Sequence, residues 1–178
     1  MGKNLLVETL QKRGINDLQS TCLTPAFEAL VHGNVFSTVH DPAVSVEYHE
    51  SARGLTCNSQ SFLVDETGYT LPDSPNCEIR YSIVGNEFVI QAKYLSLQHL
   101  QPIKFVLPII CNYNEKAWPI SPTRLDVIKS GAVVNIEANK PFKTSRLQPV
   151  NEFTNVPGNN TIRLEFSSNE IEIKIRVA

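Results

Sequence analysis

Histidines and carboxylates recur in the first third of the chain, and these residue types most often bind metals or transfer protons. His32, His40 and His49 fall eight and nine positions apart, and Asp41 and Glu50 directly follow two of them. A zinc site needs three or four ligands and usually includes one closely spaced pair, which this spacing does not supply. We interpret these histidines as surface or loop residues. The alternative is a small hydrolase or metal-dependent enzyme that uses His40, His49 and Asp41 or another carboxylate.

Motifs for other kinds of catalysis are not recognisable. The sequence has no GxSxG elbow, no phosphate-binding glycine loop, and no cysteine with a histidine at a familiar spacing. Five carboxylates could pair across strands for glycosidase chemistry, although solvated faces are their usual location: Asp41, Glu47, Glu50, Asp65 and Glu66. We therefore predict no catalytic residues, no bound metal and no cofactor.

Aromatic side chains are the remaining candidates for ligand binding. Trp118, the single tryptophan, lies in a loop-like stretch that also contains Asn and Lys residues. Exposed aromatic rings can stack on sugars while nearby amides and charges bond the hydroxyl groups. Trp118, Tyr113 and Tyr69 are thus the candidate contacts of a carbohydrate-binding module. The interpretation we favour is that Trp118 packs inward and anchors a crossover between two sheets.

Alternating apolar and polar residues must position these side chains. In residues 171–177 every second residue is aliphatic and the others are charged, which is typical of a strand with one buried face. Similar segments and turn signals recur from residue 35 onward. The spacing predicts an all-β fold, a jelly-roll-like antiparallel β-sandwich of about ten strands over residues 35–178. Residues 1–34 are predicted to be a helical or irregular appendage.

Two helices are predicted within that appendage. Leucines at helical spacing predict a short helix over residues 3–13. A second helix is predicted from Thr24 and Pro25, which suit the N-cap and the first helical position, to a stop at Gly33. The rival interpretation makes residues 26–31 the opening strand of the sandwich.

Composition excludes several classes of protein. The length of 178 residues suits one domain, and the net charge of −2 comes without a basic stripe, which argues against nucleic-acid binding. No apolar stretch approaches the roughly 20 residues that span a membrane, and the first residues do not form a signal peptide.

The cysteines are widely spaced, and no CxxC pair suggests zinc or redox chemistry. They are Cys22, Cys57, Cys77 and Cys111. We favour free, mostly buried thiols, and the alternative is at least one disulfide.

Several segments between residue 77 and the end carry a family resemblance. They are residues 77–81 (CEIRY), 88–90 (FVI), 103–110 (IKFVLPII), 120–122 (ISP) and 153–158 (FTNVPG). Together they resemble the C-terminal β-sandwich of heparinase II/III-like proteins. The resemblance implies enzymes that act on acidic polysaccharides through an α/α-toroid, which carries the catalytic Tyr and His residues. None of those residues has a counterpart here, so the resemblance implies the role of the sandwich alone.

The sequence therefore predicts a non-catalytic accessory domain of a polysaccharide-processing enzyme, with a free-standing carbohydrate-binding module or a small enzyme as alternatives. Its expected partners are a polysaccharide or an adjacent catalytic domain, with no nucleic acid and no membrane. Only the resemblance suggests a compartment, and it favours the periplasm or secretion.

Overall fold

The computed structural model describes residues 24–52, 54–95, 102–111, 115–129, 131–146 and 160–178. In this part of the chain the backbone forms thirteen β-strands and a 3-10 helix, Thr38–His40. The strands are β1 (Ala26–Val31), β2 (Asn34–Ser37), β3 (Ser45–Ser51), β4 (Gly54–Ser61), β5 (Cys77–Val84), β6 (Glu87–Tyr94), β7 (Ile103–Cys111), β8 (Lys116–Ser121), β9 (Arg124–Lys129), β10 (Ala132–Ala138), β11 (Lys143–Arg146), β12 (Asn160–Phe166) and β13 (Glu170–Val177).

The strands form two antiparallel sheets of unequal size. The smaller sheet has five strands in the order β11-β12-β7-β1-β2, and the larger has eight in the order β3-β4-β5-β6-β13-β10-β9-β8. The two sheets pack face to face, as in the contact of Phe27 on β1 with Tyr94 on β6, whose ring centroids lie 5.5 Å apart. The predicted all-β sandwich is thus confirmed.

The strand order differs from the predicted jelly roll. Successive strands of a jelly roll alternate between its two sheets, whereas β3 to β6 follow one another in the larger sheet. Strands β8 to β10 form a second meander in that sheet, and β13 pairs with β6 on one side and β10 on the other. Short hairpins, rather than crossovers, therefore build most of the larger sheet.

The helix predicted from Thr24 to Gly33 is wrong, and the rival strand interpretation is confirmed. Strand β1 covers Ala26–Val31 and pairs with β2 and β7. Residues 26–29 are buried on both faces of their sheet, so no period-2 alternation marks them as a strand. Gly33 and His32 both have positive φ, 85° and 51°, and form the β1–β2 hairpin turn instead of a helix stop.

Strand β1 precedes the boundary predicted at residue 34 and belongs to the five-stranded sheet. The rest of the predicted appendage, including the helix over residues 3–13, lies outside the described residues.

The core between the sheets is built from the apolar half of each alternating strand. Phe27, Phe105 and Phe166 are fully buried on three strands of the smaller sheet, with centroid distances of 5.2 and 6.1 Å between successive rings. On β13, Ile171 and Ile173 are fully buried opposite them. Because burial of apolar area drives folding, these side chains hold the two sheets together.

A charged pair is buried on the other face of the five-stranded sheet. Phe27 and Ala29 point toward the larger sheet, so Glu28 between them points away, and Arg163 on β12 does the same. Their side chains are only 5% and 3% exposed, and the guanidinium Nη2 of Arg163 donates to Glu28 Oε2. This pair links β1 to β12 across β7.

Removing one member of this pair leaves the other charge buried without its partner. We expect Arg163→Met to lower the free energy of unfolding by about 3 kcal/mol, because Glu28 loses its partner in a dry site. The double variant Glu28→Met with Arg163→Met should recover most of that loss. Urea unfolding measures both. Arg176→Met, which breaks an exposed pair with Glu87, is the control and should cost less than about 1 kcal/mol. A similar small loss for Arg163→Met would contradict the expectation.

Candidate functional site

Trp118 lies on β8, the last strand at one edge of the eight-stranded sheet. Its side chain is 62% exposed. The favoured interpretation, in which Trp118 packs inward between the sheets, is therefore wrong. The loop predicted around it is also corrected, because Lys116–Ser121 is a strand. The single tryptophan is a surface residue of the sheet.

A hydrogen-bonded polar group stands beside the indole. Asp126 on β9 is the register partner of Trp118, and Asn135 on β10 is the partner of Asp126. Arg124 donates from Nε and Nη2 to the two carboxylate oxygens of Asp126, at 3.0 and 3.3 Å. The Asn135 amide donates to Asp126 Oδ1 at 3.0 Å. These contacts fix the orientation of the Arg124 guanidinium next to the ring.

The charges of this group stabilise each other. The hydrogen bond from Arg124, with help from Asn135, holds the pKa of Asp126 below its usual value against the opposing effect of desolvation. The same bond raises the pKa of Arg124 above its usual value. Asp126 thus favours its ionised form and holds the Arg124 guanidinium by two hydrogen bonds. Sequence reasoning missed both residues, although their alternation with the buried Leu125 and Val127 places them on the outer face.

The other aromatic candidates do not join Trp118. Tyr69 is exposed in the connection between β4 and β5, where its backbone N–H donates to Asp65 Oδ1 at 2.9 Å. Strand β8 lies five strand positions from β5, which at about 4.8 Å per strand is roughly 24 Å. Tyr113 lies outside the described residues. Trp118 and Tyr69 therefore do not form one flat aromatic surface for a ligand.

Two of the candidate metal or acid–base residues, His40 and Asp41, have structural partners. His40 is half-buried at the end of the 3-10 helix, and its Nδ1 lies 3.3 Å from the Val64 carbonyl oxygen. Asp41 is buried and accepts from the backbone N–H groups of Ala43 and Phe62, at 2.8 and 2.7 Å. His49 is exposed on β3. Among the described residues, no group of three or more His, Cys, Asp or Glu side chains could hold a metal ion.

The cysteines that the structure describes, Cys57, Cys77 and Cys111, are free thiols, and Cys77 and Cys111 are buried. Burial raises the pKa of the Cys77 thiol to about 12, so this group is not a nucleophile at neutral pH. Cys22 lies outside the described residues.

An apolar area at the opposite edge of the eight-stranded sheet was not expected from the sequence. Tyr48 on β3 is in register with Cys57, Tyr81 and the fully buried Ile90, so it lies on the core-facing side of the sheet. It is nevertheless 72% exposed. Neighbouring side chains on this side are exposed as well, and we call the set the uncovered patch: Val46, Tyr48, Leu55 and Ile83.

The outer face of the larger sheet also bears a polar groove of about 200 Å³. Its lining carries charges of both signs, and part of it is already paired, as in the 3.1 Å contact of Lys93 with Glu78. The Gln91 amide likewise donates to Glu172 at 2.9 Å. The groove carries one excess negative charge, because three carboxylates and two cations line it: Glu78, Glu170, Glu172, Arg80 and Lys93.

The described part of the chain is a two-sheet β-sandwich whose larger sheet is covered by these residues over only part of its inner face. The chain belongs to the ulvan lyase C-terminal domain family, whose model matches residues 1–178. The predicted resemblance to the C-terminal sandwich of a polysaccharide lyase is thereby confirmed.

One curated relative shows the same likeness more weakly. The broad-specificity ulvan lyase of Formosa agariphila is 25% identical to this chain over 146 residues. The match covers 80% of this chain and 22% of that enzyme. The chain thus spans about a fifth of the length of its relative. In the described residues, no helix is both long and apolar enough to cross a membrane.

The environment of His40 predicts a pH dependence of stability. Burial lowers the pKa of His40 below its ordinary value of 6.5, although the Val64 carbonyl and the charges of Asp65 and Glu28 oppose this. The unfolded chain therefore binds a proton more readily, and stability falls as the pH drops below about 6.5. We expect His40→Gln to lose less stability than the wild type between pH 7 and 5.5. Urea midpoints at both pH values test this, and equal losses would contradict it.

Proposed function

We propose that this chain is a non-catalytic accessory β-sandwich of a polysaccharide lyase, which braces a catalytic domain and borders its substrate cleft. The observation that carries the proposal is the family match over residues 1–178, together with a relative that is several times longer. Two contacts in the described residues support it, because His40 lies against the Val64 carbonyl and Asp41 accepts from backbone N–H groups, so both have structural partners.

The uncovered patch supports a docking role. Inner-face side chains of a sandwich normally meet a second sheet, and contiguous exposed apolar surface of this kind marks an interaction site. The occupant we propose is the catalytic domain of the same lyase polypeptide, since most of the relative's length lies outside the match. Interfaces between domains of one chain are of moderate size and partly polar. The mixture of Tyr48 and aliphatic residues with Glu50, which lies on the same face of β3, suits such an interface.

We propose that the domain works outside the cytoplasm, in the periplasm or after secretion. A long polysaccharide does not cross a membrane intact, so an enzyme that cleaves it must meet it outside. Burial supports persistence of the free thiols in an oxidising compartment, because Cys77 and Cys111 are inaccessible and the thiol of Cys77 stays protonated.

We expect the isolated chain to have no lyase activity. A lyase cleaves its glycan by elimination and leaves an unsaturated sugar end, which absorbs ultraviolet light. We expect ulvan incubated with this chain to show no increase in that absorbance, whereas the Formosa agariphila lyase should produce one under the same conditions. A steady increase that survives repurification of the chain would contradict the non-catalytic assignment.

Docking is tested in the protein encoded by the complete reading frame that contains this chain. We expect backbone amides of β3 and β4 to exchange hydrogen at least tenfold more slowly there than in the isolated chain, because the catalytic domain covers them. Ile83→Ser should remove that extra protection.

Val84→Ser is the matched control. Val84 is exposed on the same strand but faces the other side of the sheet, so its substitution should leave the protection unchanged. Equal exchange in the two proteins, or a reading frame that encodes no further domain, would contradict the docking role.

A further inference from the structure

The outer face of the larger sheet carries a second surface, around Trp118, that the docking role does not use. Leu125 and Val127 are buried in the core, so Asp126 between them faces outward, and its register partner Trp118 faces outward too. The indole is thus presented to solvent on the side of the sheet away from the five-stranded sheet.

Polar groups that can bond a ligand flank this indole. The Arg124 side chain is 45% exposed, and its contacts with Asp126 use Nε and Nη2. Nη1 is the part of the guanidinium that these contacts do not use, and its N–H groups can donate to an oxygen of a ligand. Lys116 lies two positions before Trp118 on the same strand, so it occupies the same face at about 7 Å. Two cations and two carboxylates therefore share the face of the indole, with Asp126 and Glu137 next to Arg124.

We propose that this surface binds one acidic polysaccharide chain. A pyranose ring stacks on the indole of Trp118, and a carboxylate or sulfate oxygen of an adjacent sugar accepts from Arg124 Nη1. Lys116 attracts the next acidic group along the chain. Asp126 and Asn135 act as positioning residues that hold the guanidinium beside the ring. This inference rests on the proposed function for its ligand class, and it assigns a glycan contact to the accessory domain.

A glycan fits this surface better than a protein does. Protein interfaces have an apolar centre made of several residues, whereas most neighbours of Trp118 on this face are polar or charged and one, Ile128, is an exposed aliphatic side chain. The exposed apolar residues of the uncovered patch belong instead to strands at the other edge of the sheet. A sugar ring needs a single aromatic face together with hydrogen-bonding groups at its rim, which is what Trp118 and its neighbours provide.

Tryptophan fluorescence reports on this site directly, because Trp118 is the only tryptophan in the chain. We expect ulvan to produce a saturable change in the emission of the isolated chain, and a neutral glucan to produce a much weaker one. Raising the salt concentration should weaken the binding of ulvan, since part of it is ionic.

Single-residue variants distinguish the contribution of ring stacking from that of charge. The affinity of each variant for ulvan is measured by its retardation in gels that contain ulvan. We expect Trp118→Ala to bind about tenfold more weakly and Trp118→Phe to retain most of the affinity. Arg124→Gln should bind about fivefold more weakly and show less salt dependence. Tyr69→Ala, which removes an exposed aromatic far from β8, should bind like the wild type. Circular dichroism confirms that each variant is folded.

Three results would overturn the proposal. Retention of ulvan with no change in Trp118 emission would place the glycan elsewhere, and full affinity in folded Trp118→Ala would exclude stacking. An emission change caused by the lyase's catalytic domain and not by ulvan would make the surface a protein interface. None of these results alters the hydrogen exchange of β3 and β4, so failure here is distinguishable from failure of the docking role.

Discussion

An eight-stranded sheet packed on a five-stranded sheet has more inner surface than its partner can cover. Three extra strands at about 4.8 Å each amount to roughly 14 Å of sheet width without a counterpart. The connection between β4 and β5 compensates for part of this, because Leu63 and Leu71 from it are buried in the core. The remainder falls on β3 and the adjoining ends of β4 and β5, where Tyr48 stays exposed. The size mismatch between the sheets thus gives a packed centre and, at the β3 edge, inner-face apolar side chains that remain exposed.

The sequence predicts the strands well where the alternation is regular and each strand has one wet face. It fails at Ala26–Val31, because a strand buried on both faces shows no period of two and its apolar run suits a helix equally well. It also predicts burial for the apolar side of β3, since alternation reveals which side chains share a face but not whether another layer covers that face. The sequence does not predict the order of the strands in each sheet, because pairs such as β1 with β7 join residues that are distant in the chain.

Local sequence is also insufficient to predict the surroundings of the candidate site. The chemistry of Trp118 is readable from its residue type, but its exposure depends on which face of β8 points away from the core, which local sequence does not encode. Arg124 and Asp126 are two positions apart on β9, and Asn135 joins them only through the register of β9 with β10. Conversely, the proximity of His40 and Asp41 in sequence suggested a joint role. In the structure they contact different backbone groups: His40 lies against the Val64 carbonyl, and Asp41 accepts from the Phe62 N–H.

The position of β13 has a consequence for how the chain acquires its fold. This strand follows the other twelve described strands in sequence, yet it lies in the middle of the larger sheet and joins the meander β3 to β6 with the meander β8 to β10. Until Glu170–Val177 leaves the ribosome, both meanders have an unpaired edge at β6 and at β10. Long-range closure of this kind is slow compared with hairpin formation. The nascent chain therefore passes through a period in which two edges are open to wrong pairing, and synthesis of β13 ends it.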